Sequence, residues 1–325
     1  MHEAAFQGNI AVQVKNLERR FGDFVAVDRI SFEVKRGEIF GFLGPNGAGK
    51  STTIRMLCGI LRPTAGEGHV AGLDIMKQTE LIKTRIGYMS QKFSLYDDLK
   101  VEENIDFFSG IYQIAPERQK ARKEWVLEMA GLVDRRDTRT GLLPGGVKQR
   151  LALGCAVLHE PDILFLDEPT SGVDPENRRQ FWDLINETSE QGVTVFVTTH
   201  YMDEAEYCNR IGLIYRGKLI ALGTPERLKK EQMQDCLFEV ICDRPHDALE
   251  ILETHPAVQD GALFGNGLHL MVKDPAACAG PLRTFLQEKG FTVTRAERIV
   301  PSLEDAFVSL IEENDRMNGT GGEKS

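Results

Sequence analysis

Residues 44–52 read Gly44-Pro45-Asn46-Gly47-Ala48-Gly49-Lys50-Ser51-Thr52; the apolar run Ile39-Phe40-Gly41-Phe42-Leu43 precedes them and a segment of helical periodicity follows. Strand, glycine-rich loop and helix, in that order, are the setting in which the pattern G-x-x-x-x-G-K-[ST] cradles a polyphosphate. The glycines let successive backbone N–H groups turn inward around the anion. The positive end of the following helix points at the same charge. Lys50 is then placed to neutralise the β- and γ-phosphates, and the Ser51 hydroxyl to hold Mg²⁺. The stretch predicts an α/β chain that binds a nucleoside triphosphate, with residues 44–52 as the cradle.

A second run, Ile163-Leu164-Phe165-Leu166-Asp167-Glu168, has four apolar residues, as a strand buried on both faces of a mainly parallel sheet requires. Its two carboxylates emerge at the carboxyl end, where open α/β sheets place their ligands. Asp167 is expected to hold Mg²⁺ through its water shell, and Glu168 to orient or deprotonate the attacking water. Alone, the pair could be solvated acids at a strand end; beside a phosphate cradle the catalytic reading is the stronger.

Shortly before that strand stands Leu143-Pro144-Gly145-Gly146-Val147-Lys148-Gln149-Arg150. Here the sequence resembles the ATP-binding-cassette (ABC) ATPases, whose signature reads LSGGQ-x-Q-R or close to it. The order of P-loop, glutamine loop, signature, acidic strand, D-loop and switch histidine is reproduced over the first two-thirds of the chain. The resemblance implies two cassettes facing head to tail, the signature of one closing over ATP held by the other. Gly145 and Gly146 would offer N–H donors at a helix start to the γ-phosphate, with Gln149 beside them. Pro144 stands where the family has serine. Proline suits a helix start but brings neither hydroxyl nor N–H, so slow turnover, or reliance on the glycine amides and Gln149, is expected. By the same resemblance Gln91 reaches Mg²⁺ and the water, and His200, after Thr198-Thr199, bonds the γ-phosphate. Asp174, in Ser171-Gly172-Val173-Asp174, belongs to the D-loop, and could equally cap a helix opening at Pro175. Phe21 matches the aromatic that stacks on adenine; a core phenylalanine between strands is the other reading.

Composition agrees. The 325 residues are 42% hydrophobic and 27% charged, as in ordinary globular proteins. The net charge of −10 argues against an extended nucleic-acid surface, so no nucleic-acid partner is expected. No apolar run reaches the length of a membrane span, and the first residues lack signal-peptide character. The six cysteines fit neither a disulfide framework nor a zinc spacing. Free thiols and no metal beyond Mg²⁺ are expected.

Residues 8–230 are expected to form the cassette: short antiparallel strands between Ile10 and Val34, the nucleotide core, and an α-helical insert over about 93–160. Phe93, Leu95 and Tyr96 are either core or the receiving surface for a membrane subunit. A linker at 231–235 follows. The order β-α-β-β-α-β over 236–312 predicts a small ferredoxin-like α+β domain. It closes on a helix begun at Ser302 with Asp305 in a capping box, before a disordered tail at 313–325. The segment Val300-Pro301-Ser302-Leu303-Glu304-Asp305-Ala306-Phe307 is similar to the chain end of exporter ATPases of the daunorubicin-resistance type, as is the region of Ser94-Leu95-Tyr96 and Val101-Glu102-Glu103-Asn104. That resemblance implies a peripheral subunit at the cytoplasmic face of the membrane. It would act as a dimer with itself or a related cassette, and drive separate transmembrane permease subunits with ATP and Mg²⁺. Two other readings stay open: a non-transport ABC ATPase acting on ribosomes or DNA, and a weakly hydrolysing cassette paired with a different, catalytic one.

Overall fold

Two twelve-residue strands, β1 (Ile10–Phe21) and β2 (Phe24–Lys35), open the chain as a hairpin. The sequence pattern predicts shorter strands. Register shifts along the pair, with φ of 49° at Asn16 and 48° at Arg29, interrupt the period-two alternation without ending the pairing. The computed structural model describes residues 8–91, 95–233, 237–272, 275–299 and 301–317. Outside them lie the first seven residues, Phe93, Ser94, Cys236 and the last eight residues.

The chain divides into two units between Pro225 and Glu226. In the first, β3 (Ile39–Leu43) is buried throughout and feeds the glycine-rich loop and α1 (Lys50–Leu57). β4 (Ala65–Val70) and β5 (Leu73–Asp74) return to β1, giving the antiparallel sheet β2-β1-β4-β5. After α2 (Thr79–Lys83), β6 (Ile86–Met89) enters a second sheet. Helices α3 (Val101–Ile111), α4 (Pro116–Ala130) and α5 (Gly145–Ala156) intervene before β7 (Ile163–Asp167). Then come α6 (Pro175–Glu190), β8 (Thr194–Thr199), a 3₁₀ turn at Asp203–Tyr207, β9 (Arg210–Tyr215) and β10 (Lys218–Gly223). The six-stranded order is β10-β9-β3-β8-β7-β6, parallel except at the β10 edge.

Phenylalanines join the two sheets. The ring of Phe196 on β8 lies 5.4 Å from Phe40, 5.6 Å from Phe42, 5.5 Å from Phe165 and 6.0 Å from Phe32 of the antiparallel sheet. All five are buried, each worth about 1.5–3 kcal/mol relative to exposure. This core fixes the carboxyl ends of β3, β7 and β8 side by side.

α7 (Pro225–Met233) carries a helix through residues 231–233, where a linker was expected. Proline suits its first turn, and Glu, Arg, Leu, Lys, Gln and Met favour helix despite their polarity. Residues 234 and 235 lie outside the described residues. In the second unit β11 (Leu237–Cys242), α8 (Pro245–Leu252), β12 (Val258–Phe264), β13 (Gly267–Val272), α9 (Pro275–Glu288) and β14 (Val293–Arg298) form an antiparallel sheet of order β12-β13-β11-β14, the split-βαβ plan. Phe238, Leu268, Leu270, Leu286 and Phe291 are among its core.

α10 (Leu303–Met317) follows, capped as the sequence predicts. Ser302 N–H and Oγ donate to Asp305 Oδ2 at 2.8 and 2.6 Å, and Asp305 N–H donates to Ser302 Oγ at 3.2 Å. Residues 313–317, expected in the disordered tail, are helical. Arg316 pairs with Asp260 at 3.0 Å and Glu312 at 3.5 Å, which holds the last turn.

Candidate active site

The glycine-rich loop depends on a backbone that side chains resist. Gly49 has φ 111°, and a Cβ there would stand 2.5 Å from the Ala26 carbonyl oxygen. No side chain caps α1, so its first-turn N–H groups open toward the loop's anion site. Lys50, 4% exposed, donates to the carbonyls of Gly44 at 2.8 Å and Pro45 at 3.1 Å, and its ammonium lies 3.0 Å from Glu168 Oε1. Three acceptors thus fold the lysine back over the loop, with its charge balanced by the neighbouring carboxylate.

Parallel pairing of β3, β7 and β8 puts Asp167 beside Thr198. Asp167 Oδ1 accepts the hydroxyls of Ser51 at 2.9 Å and Thr198 at 2.8 Å. Glu168 takes φ 48°, a left-handed conformation that costs a residue of its size about 1–3 kcal/mol. Its N–H is held by both Thr198 Oγ1 at 3.0 Å and the Thr198 carbonyl at 3.1 Å. This turn aims the carboxylate back at the loop. Gln91 Nε2 donates to Glu168 Oε2 at 3.0 Å, and His200 Nδ1 lies 3.3 Å from the same oxygen, out of line for a hydrogen bond. Lys50, Ser51, Gln91, Asp167, Glu168 and His200 therefore converge.

An open cleft of about 400 Å³ faces these groups, lined by Phe21, Phe24, Asn46, Gly47, Lys50, Thr52, Gln91 and Glu168 among others. Phe21 is 47% exposed, so it is not a core residue; the Arg19 guanidinium lies 4.4 Å from its ring centre. Phe24, its cross-strand partner, is 64% exposed on the same cleft. Sequence reasoning passed over Phe24, although the two-residue Gly22-Asp23 connection predicts that the flanking aromatics pair. It also passed over Thr198, whose hydroxyl bonds both Asp167 and Glu168.

The oxygens of Ser51 and Asp167, with the amide of Gln91 near, form the hard donor set that Mg²⁺ prefers. The residues present fit the ion. Among the described residues no group of three or more His, Cys, Asp or Glu side chains is placed to hold a metal. Cys58, Cys155, Cys208 and Cys242 are free and buried.

The signature residues lie away from that cleft. Pro144 is the N-cap of α5, with no side-chain cap, and Gly145 beside it is exposed. Gly146 is at a close approach to α6: a Cβ there would stand 2.5 Å from Asn177 Cγ. Gln149, expected at a nucleotide, is 4% exposed. It follows Gly145 by four residues, one turn along the same side of α5. Asp174 caps α6: Oδ1 accepts Asn177 N–H at 3.1 Å and Oδ2 its amide at 2.7 Å, which hold the Asp174 carboxyl below its usual range. Asn177 Oδ1 in turn accepts from Arg150 at 3.0 Å, tying signature helix to D-loop. Of the insert's apolar trio, Leu95 is buried, and Tyr96 is 49% exposed with its ring 4.6 Å from that of Phe107.

Comparison with known proteins agrees with this geometry. The family described as "ABC transporter" matches residues 27–171, and one described as "AAA domain, putative AbiEii toxin, Type IV TA system" matches residues 143–202, which hold α5, β7 and β8. The chain is 36% identical over 303 residues to the Nod factor export ATP-binding protein I of Burkholderia lata, covering 92% of this chain and 96% of that one. It is 56% identical over 228 residues to the probable multidrug ABC transporter ATP-binding protein YbhF of Escherichia coli, covering 70% of this chain but only 39% of YbhF. The linearmycin resistance ATP-binding protein LnrL of Bacillus subtilis is 41% identical over 230 residues, covering 70% of this chain and 74% of LnrL. Among solved structures, the ADP conformation of MJ1267, an ATP-binding cassette of an ABC transporter, superposes with a TM-score of 0.62 at 26% identity, covering 70% of this chain and 95% of that one. A dimeric post-hydrolysis state of the cassette MJ0796, bound to ADP and Pi, gives 0.59 at 26% identity, covering 66% and 98%. The chain belongs to the ABC transporter ATP-binding proteins, a family of ATPase cassettes.

Proposed function

We infer that this chain hydrolyses ATP to ADP and phosphate in order to drive export through separate membrane-embedded subunits. The observation that carries the reading is the convergence of Lys50, Asp167, Glu168, Gln91 and His200 on the mouth of the glycine-rich loop. The loop amides and Lys50 bind the β- and γ-phosphates, and Phe21 and Phe24 flank the base. Ser51, Asp167 and Gln91 would hold Mg²⁺, which supplies charge neutralisation when bound. Lys50 exchanges Glu168 for phosphate oxygens, and the freed carboxylate accepts the proton of the water that attacks phosphorus. Gln91 orients that water, and His200 donates to the γ-phosphate.

Gly145, Gly146 and Asp174 serve a second cassette's nucleotide, so the working unit is a dimer. The dimeric solved relative supports this. No helix among the described residues is long and apolar enough to cross a membrane, which fits a peripheral subunit at the cytoplasmic face. The names of three relatives, given for Nod factor export, linearmycin resistance and probable multidrug transport, favour outward transport of a small molecule. Pro144 favours a second reading, in which a weak signature is paired with a different cassette that it serves poorly.

The test is Mg²⁺-dependent phosphate release by the purified chain against Glu168→Gln, together with identification of what co-purifies from gently extracted native membranes. The expected outcome is a loss of about 10²–10⁴-fold in the variant, the scale of a missing general base, and a polytopic membrane partner. Equal rates, or a pool associated only with ribosomes, would overturn the reading.

A further inference from the structure

The geometry points to Arg178 and Glu204 as positioning residues that hold His200 by its ring face, acting through Tyr201. Only the kinetic part of this inference rests on the ATPase function proposed above. His200 Nδ1 approaches Glu168 without hydrogen-bond alignment, so that contact does not set the imidazole's direction. Its face is where it is held. The Tyr201 ring centre lies 4.1 Å from that of His200 at 37°, and Tyr201 N–H is fixed by Thr199 Oγ1 at 3.0 Å. On Tyr201 lies the guanidinium of Arg178, 4.1 Å from the ring centre.

A solvated arginine would not hold a ring in place, but Arg178 is largely buried and held by charge: its contact with Glu204 is an ion pair out of line for a hydrogen bond, and the aligned hydrogen bond goes to Asp203. Its Nε is 3.4 Å from Glu204 Oε1 and its Nη1 3.4 Å from Asp203 Oδ2. Glu204 has no exposed surface, and a carboxylate so buried requires a charged or hydrogen-bonding partner. Thr170 Oγ1 supplies one hydrogen bond, at 2.5 Å, and Arg178 supplies the charge. Thr170 follows Glu168 by two residues, and Glu204 follows His200 by four. The pair thus joins the segments behind both groups expected to flank the γ-phosphate. Arg178 lies on α6, whose cap is Asp174 of the D-loop. Displacement of that cap would reach His200 through the guanidinium and the tyrosine ring.

The test reads the His200 ring by proton–carbon NMR, its resonance assigned by its loss in His200→Gln. In the wild-type chain the ring current of Tyr201, whose centre lies 4.1 Å from that of His200, should displace the imidazole Cε1 proton upfield. Tyr201→Ala and Arg178→Ala should abolish the displacement, and Tyr201→Phe, which keeps the ring, should retain it. In hydrolysis assays kcat should fall about ten- to a hundredfold in both alanine variants, the scale of a misplaced catalytic group, with KM for ATP within about twofold. A merely structural staple would lower thermal stability and leave the His200 resonance where it was in folded protein; that result would overturn the inference. Arg178→Ala strands the Glu204 charge and could fail to fold. Tyr201→Ala leaves the buried pair intact and decides the question by itself. A wild-type chain without ATPase activity would overturn the proposed function, while the NMR comparison would still judge the brace.

Discussion

Pro144 takes φ −58° and ψ 152° at the start of α5, angles that serine adopts without strain, and α5 has no side-chain cap. Serine is among the best N-caps, worth about 0.5–2 kcal/mol over a residue that cannot cap. Its hydroxyl would also add a donor on the face that carries Gly145. Pro144→Ser should therefore raise kcat, by up to about a hundredfold if the donor acts in the transition state, without lowering the melting temperature. An unchanged or lower rate in phosphate-release assays would remove the idea. Thr198 offers the converse test. Its hydroxyl donates to Asp167 and accepts from Glu168 N–H at a fully buried position. Thr198→Val keeps the shape and removes one hydrogen bond from each group, while Ser51 still donates to Asp167 and the Thr198 carbonyl still accepts from Glu168 N–H, a loss of about 1–3 kcal/mol in all. It should lower kcat about tenfold or more, on the scale of that lost interaction energy, while ATP affinity holds. Loss of affinity with kcat intact would show that Thr198 supports the loop and not the carboxylates.

Among the elements, the strands of the parallel sheet were legible because burial on both faces writes them as unbroken apolar runs, as in Ile163–Leu166 and Ile39–Leu43. The residues at their carboxyl ends could then be placed by topology. What the sequence hid was tertiary. Arg178 and Glu204 are 26 apart in number, and only the packing of α6 on the turn after His200 joins them. Thr198 reads as an ordinary strand residue until β7 is laid beside it. Polar helices such as α7 and the end of α10 read as linker and tail, because residues 231–233 and 313–317 carry no periodic apolar stripe. The anchor of α10 makes its own prediction. Burial alone would raise the Asp305 pKa, but the hydrogen bonds from His269 and Ser302 outweigh it and hold the carboxyl below its usual value. A depressed carboxylate stabilises fully above its unfolded pKa, and that contribution disappears as pH falls through the folded one. The second unit should thus lose stability on acidification from about pH 4 downward, and Asp305→Asn should flatten that slope while costing stability at neutral pH. Urea titrations across that range, followed by circular dichroism, would refute the assignment if wild type and variant ran parallel.

At the scale of the whole molecule, the described residues place one hydrophobic core around Phe196 in the first unit and another around Leu270 in the second, the units dividing at Pro225 and Glu226. Every residue assigned to nucleotide or Mg²⁺ belongs to the first unit. A ligand that binds a folded unit and not its unfolded chain stabilises it by mass action, about 2.7 kcal/mol at a hundredfold excess over Kd. For a unit of this size that corresponds to a shift of several degrees, since 1 kcal/mol moves Tm by about 2–4 °C at 150–250 residues. Scanning calorimetry on Glu168→Gln, which consumes its ligand slowly, should resolve two transitions. ATP with Mg²⁺ should raise one of them and leave the other in place. Asp305→Asn should do the opposite, lowering only the transition that ATP does not move. A single transition, shifted as a whole by both perturbations, would mean that the two cores unfold as one. Nucleotide binding would then be felt throughout the second unit as well.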